Sequence, residues 1–143
     1  MMVSARLYCT FFAQAFYILE WDEEGVLAYF VDPKEGVKKG LFLPSELEYF
    51  ELDGHFTPQD MTEEDMVAYE RKFWGVAEAR KRKPKCPLCG GKDIIPVGYG
   101  LPDREAVERL AGKVYFWGCI VPPYPPKWYC KGCKHFFGRK LPK

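Results

Sequence analysis

The feature that most constrains this chain is a pair of C-x-x-C motifs, Cys86-Pro-Leu-Cys89 and Cys130-Lys-Gly-Cys133, set 40 residues apart. Four thiolates delivered two by two are what a tetrahedral structural zinc site takes. Each motif needs a tight turn, and Gly90, Gly91 and Gly132 let the backbone curl so that its amides reach sulfur. The spacer exceeds the roughly 15–20 residues usual between such pairs. It is expected to be a folded insertion that brings the two ends together. With every ligand position filled by sulfur, one bound zinc ion would have no place for substrate, so a structural role is expected. Free redox-active C-x-x-C pairs are the alternative, and nothing in the spacing favours an iron–sulfur cluster.

Charge divides the chain. Residues 1–79 hold 16 Asp/Glu against 6 Lys/Arg, and residues 80–143 hold 15 Lys/Arg against 4 Asp/Glu. The switch falls at Arg80, Lys81, Arg82, Lys83 and Lys85, where Pro84 breaks whatever precedes it. Two units are therefore expected: an acidic α+β unit over 1–83 and a basic zinc-ribbon unit over 84–143. A unit as small as the second builds a marginal core, which a metal would reinforce.

Residues 7–21 place apolar or small side chains at every odd position, which predicts a strand, although the spacing of Thr10 and Gln14 also suits a helix. Residues 26–32 and 37–43 read as further strands after the DEEG and PKEG turns, giving an antiparallel meander. Ser45 with Glu48 predicts a capped short helix. Thr62 with Asp65 predicts a longer helix running into the basic run, its acidic first turn and basic last turn suiting the helix dipole. In the second half, 93–100 and 113–121 read as strands. Residues 103–112 read as a helix capped by Asp103 and stopped by Gly112. The overall expectation is α+β: an N-terminal antiparallel β-meander with helices, then a C-terminal four-cysteine zinc ribbon with a helix-containing insertion.

The segments CPLCGG, VGYGLP, WGCIVPPYPP and KWYCKGCKHFF together resemble the small, functionally uncharacterised zinc-ribbon proteins of bacteria, which share CPxCG, YGxP, GC and WxCxxC elements. The likeness covers residues 84–138 and none of the N-terminal unit. Trp117 stands where that pattern has a glycine before Gly-Cys. The resemblance implies a zinc ribbon with Cys86, Cys89, Cys130 and Cys133 as ligands, and it brings no activity with it.

Two positive clusters flank the cysteines, at residues 80–85 and in the tail with Arg139 and Lys140, with Tyr115, Phe116, Trp117, Tyr124, Trp128 and Tyr129 between them. Cations for phosphates and rings for bases suit nucleic acid, single-stranded in particular. The expected contacts are Arg80, Lys81, Arg82, Lys83, Lys85, Trp128, Arg139 and Lys140. Against this, lysines beside four thiolates also balance charge, and a tryptophan beside a zinc cysteine also lids a small core. The alternative function is a protein-interaction adaptor whose acidic unit engages a partner. An enzyme ranks third, because the carboxylates fall mostly in turns and helix starts rather than in a cluster fit for Mg²⁺. Cys9 and Cys119 lie in apolar runs and read as small buried hydrophobes. His55 and His135 are not needed as ligands, and PPYPP reads as a stiff spacer.

No run approaches the roughly 20 apolar residues of a membrane span. Ala13-Gln14-Ala15 imitates a signal-peptidase site, but only Arg6 supplies a basic region before it. A folded cytoplasmic protein with no membrane partner is expected, in keeping with the reduced thiolates that a four-cysteine zinc site needs.

Overall fold

The apolar run over residues 7–21 does not form one strand. In the computed structural model, which describes residues 1–142, a short β1 (Met2–Val3) is followed by β2 (Ala5–Cys9) and β3 (Gln14–Trp21), folded back antiparallel on each other. The turn between them contains neither glycine nor proline. Ala13 takes the left-handed conformation there, at φ 56°, so composition carries no trace of the break. β4 (Val26–Asp32) and β5 (Gly36–Phe42) extend the meander as expected. β6 (Glu51–Leu52) adds to the free edge of β2, giving a five-stranded antiparallel sheet in the order β5-β4-β3-β2-β6. β7 (Gln59–Asp60) pairs with β1.

Both faces of β3 are covered. Ala15 and Tyr17 pack with Val3, Phe56, Met61 and Met66, while Phe16 and Ile18 pack with Val26, Ala28 and Leu47. That double burial is why β3 is apolar at odd and even positions alike. The short helix predicted from Ser45 is a 3₁₀ turn over Pro44–Leu47, and its reciprocal cap is Glu46 accepting from the Leu43 amide rather than a Ser45–Glu48 box. α1 (Glu63–Phe73) starts as predicted: the Asp65 amide donates to Thr62 Oγ1 and the Thr62 amide donates to the Asp65 carboxylate.

α1 stops at Phe73, well short of the basic run. Gly75 turns left-handed at φ +62°, and a 3₁₀ turn over Val76–Glu78 follows. The Trp74 carbonyl then accepts the amides of Gly138 and Arg139. Tertiary hydrogen bonding thus replaces the next helical turn. A Cβ on Gly75 would sit 2.9 Å from the Phe137 side chain. Gly75→Ala is expected to cost the fold about 2 kcal/mol or more, from the left-handed backbone plus the clash. Thermal unfolding followed by near-UV CD checks it; an unchanged midpoint would mean that Phe137 yields without cost.

The chain forms two compact units, residues 1–70 with Pro142 and residues 71–141. The second contains β8 (Ile94–Tyr99), α2 (Arg104–Arg109), β9 (Tyr115–Gly118), β10 (Trp128–Cys130) and β11 (His135–Phe137). Asp103 caps α2 by accepting the Ala106 amide. The sheet order is β11-β10-β8-β9, with β8 and β9 parallel across α2 and the other pairs antiparallel.

Candidate metal centre

The four cysteines of the two motifs converge within the second unit, their sulfurs all within 4.8 Å of one another. Close approaches run between the motifs: Cys86 Sγ to Cys133 Sγ is 3.4 Å and Cys89 Sγ to Cys130 Sγ is 3.7 Å. A tetrahedron of sulfurs about 2.3 Å from a central ion has edges of about 3.8 Å, so the set can hold a metal ion with little adjustment. Sulfurs of different motifs lie this close, so the arrangement reads as one four-sulfur centre rather than two separate C-x-x-C pairs.

The two knuckles share a construction. In each, the residue after the second cysteine is left-handed, Gly90 at φ 69° in the first and Lys134 at φ 57° in the second. Gly132, expected to supply the curl of the second knuckle, does not take a positive φ; Lys134 does so instead. In the first knuckle the Gly90 amide donates to the Cys86 carbonyl and the Cys86 amide to the Gly91 carbonyl. The Gly91 amide also points at Cys89 Sγ, 3.4 Å away. A Cβ on Gly91 would lie 3.1 Å from that sulfur and 4.0 Å from Cys130 Sγ. The glycine therefore keeps a cradle open beside two ligand sulfurs.

Cys86 and Cys130 are buried with Phe137, and Leu88, Ile94, Trp128 and Cys133 pack against them. Burial pushes the Cys86 and Cys133 thiols up, whereas the Gly91 amide draws Cys89 down. A metal must displace protons held at the first two, so binding here is coupled to proton release. His135 is not a ligand: it is buried with Nε2 against the Phe73 carbonyl and its ring packs between Phe73 and Phe137.

The remaining sequence-derived site residues separate. Arg80, Lys81, Arg82, Lys83, Lys85 and Lys140 are exposed. Arg139 is fully buried, donates to the Tyr124 carbonyl and stacks at 4.4 Å over the Trp74 ring. It serves the core of this unit and is not on the surface with the others. The PPYPP loop is pinned by that bond and by Tyr99 Oη donating to the Pro126 carbonyl, in line with a spacer. Cys9 is half-buried, but Cys119 is exposed and so is not the buried hydrophobe its apolar run suggested.

The aromatics divide between the two faces of the second sheet. Register places Ile94, Trp128, Cys130, His135 and Phe137 on one face, and Ile95, Val97, Tyr115, Tyr129 and Phe136 on the other. On the second face Tyr115, Tyr129, Phe136 and Trp117 form a half-buried cluster with centroids 4.7 to 5.0 Å apart. Trp128 alone joins the cations. Arg82, Lys83, Lys85 and Lys92 line a cavity of about 380 Å³ with Pro84, Ile94 and Trp128. Lys92 was not among the expected nucleic-acid contacts because it lies outside the basic run, and the knuckle folds it back.

The first unit contains a buried charge cluster that sequence reasoning also missed. Arg6, fully buried, donates to Asp53 at 2.9 Å and to Glu70 at 2.7 Å. Tyr17 Oη donates to Glu70 and Tyr69 Oη to Asp53. Burial works to lower the Arg6 pKa, but Glu70, Tyr17 and Asp53 outweigh it and hold the guanidinium above its ordinary value. The two acids lie 47 and 64 positions from Arg6, so no local pattern links them.

Comparison with known protein families, curated proteins and solved structures finds no match for this chain. The four-cysteine cluster is consistent with a zinc-binding centre in residues 84–138, and no family is shown for them. Among the described residues no helix is long and apolar enough to cross a membrane.

Proposed function

We propose that this chain is a zinc-stabilised binding protein whose basic half engages nucleic acid. Four sulfurs at tetrahedral spacing, with an amide directed at one of them, favour zinc, and a set closed by protein ligands suits a structural ion. The nucleic-acid reading is carried by the cavity beside the first knuckle. Four cations and an indole line it, with no carboxylate among its described lining residues. Residues 71–141 as a whole hold 16 Lys/Arg against 5 Asp/Glu, so the wider field also favours a polyanion.

The test is a salt series of binding to single-stranded DNA and RNA and to duplexes, using the metal-loaded full chain. Phosphate contacts predict a negative slope of log K against log salt, about −0.7 for each phosphate engaged on a single strand. Arg82→Glu should weaken all sequences alike, as a phosphate contact does. Absence of binding at low salt would remove the nucleic-acid reading. A protein partner for the acidic unit is the second reading. It draws on Leu41, Leu43, Tyr49 and Leu52, apolar side chains more than half exposed in the first unit.

A further inference from the structure

We propose that the cavity beside the first knuckle receives a terminal phosphate monoester of a nucleotide. The inference rests on the nucleic-acid reading and narrows it from a charged surface to a site with a defined ligand group. Its starting point is what the neighbouring cations do. Lys81 pairs with Glu78, Lys127 Nζ donates to the Ala79 carbonyl, Lys131 Nζ to the Gly112 carbonyl and Arg139 to the Tyr124 carbonyl. Each of those has an internal partner. Among the described residues, the side chains of Arg82, Lys83, Lys85 and Lys92 have none, and these four surround one cavity.

Charge counting then selects the ligand. Four thiolates on a divalent ion would carry a formal −2, shared with Lys131 and Lys134 at the second knuckle, so the four cations leave the cavity net positive. An internal phosphodiester carries one negative charge, and a groove that tracks such groups spreads its cations along a path. A terminal monoester carries about −1.5 to −2 at neutral pH and offers three acceptor oxygens. A single concave site lined by four cations can gather that charge and those oxygens on one group better than it can a singly charged diester. The cavity's volume, about 380 Å³, lies within the range of small-ligand pockets. Its other wall is apolar: Pro84 is buried, and Ile94 and Trp128 are half-buried. That wall suits the sugar or base attached to the phosphate, with the indole offering a stacking face. Free nucleotides and phosphorylated strand ends present the same chemistry, and the test separates them.

The experiment measures binding of the metal-loaded full chain to an internally labelled single-stranded oligonucleotide. The strand ends in a 5′-phosphate, a 3′-phosphate or hydroxyls only, and AMP, adenosine and inorganic phosphate serve as competitors at constant ionic strength. A phosphorylated end should bind about tenfold tighter than a hydroxyl end, as expected for charge-assisted contacts. AMP should compete better than adenosine or phosphate. Lys85→Gln with Lys92→Gln should abolish the preference while weakening the hydroxyl-ended strand much less. Arg82→Gln, away from the knuckle, should reduce it with metal content unchanged. Equal affinity for phosphorylated and hydroxyl ends overturns the terminal-phosphate site and leaves the nucleic-acid reading standing. AMP binding without strand binding keeps the site and removes that reading. Inorganic phosphate competing as well as AMP overturns the role of the apolar wall, and no binding by any probe removes both proposals.

Discussion

Removing the metal from the four-cysteine centre is expected to unfold residues 71–141 and to leave the sheet of residues 1–52 protected. Metal binding by such sites contributes on the order of 10 kcal/mol or more to folding, comparable to the whole stability of a domain, about 5–15 kcal/mol. The reason for the expectation is that the cysteines that could hold the ion are part of the second unit's core. Cys130 is fully buried on β10, paired with Ile94 on β8 and His135 on β11. A bound ion would add a link between the two knuckles to the backbone hydrogen bonds, such as Lys131 to Asp93, that already join these strands. Cys130→Ser should reproduce the effect, with metal content falling below one ion per chain. Hydrogen exchange by mass spectrometry provides the readout: β8, β10 and β11 lose protection on chelation while β3 and β4 keep it. Retained protection in β10 of the metal-free chain would show that the centre is dispensable for folding.

The largest single-residue effect in the first unit is expected at Arg6. Arg6→Ala strands Asp53 and Glu70, both buried, with no guanidinium between them. Breaking a buried ionic cluster in this way costs about 3–5 kcal/mol, a large share of the stability available. Urea unfolding, read from hydrogen exchange in β3, should show the midpoint falling accordingly. Arg6→Met combined with Asp53→Asn and Glu70→Gln should recover much of the loss, because it removes the charges together. If Arg6→Ala alone left the midpoint unmoved, water would have to reach these carboxylates in the folded chain. Tyr17 and Tyr69 already donate to the two acids, and the buried phenol of Tyr17 is held well above its ordinary pKa by burial first and Glu70 second. The cluster is thus a set of donors organised around two acids, and Arg6 is its only cation among the described residues.

Features that depend on a few neighbouring residues were legible before any fold was known. The Thr62–Asp65 and Asp103 caps are local hydrogen bonds, and β4 is bounded by turn residues on both sides. The cysteine motifs were legible for a different reason: thiolate chemistry and tetrahedral geometry narrow four paired cysteines to few uses. The turn at Ala13 and the halt of α1 at Phe73 were not legible, since one uses no turn residue and the other depends on Trp74 meeting a segment over sixty positions away.

By itself, then, the sequence marked the four cysteines that cluster, the division of charge and the starts of α1 and α2, all set by residue chemistry over short spans. Tertiary structure alone decided which cations stay on the surface, burying Arg139 under Trp74 and Arg6 between two acids while leaving Arg82, Lys83, Lys85 and Lys92 around one cavity. The physical reason is that a charge's role depends on its desolvation and its partners. Both come from segments distant in the chain, so composition counts these six cations alike and only packing tells them apart.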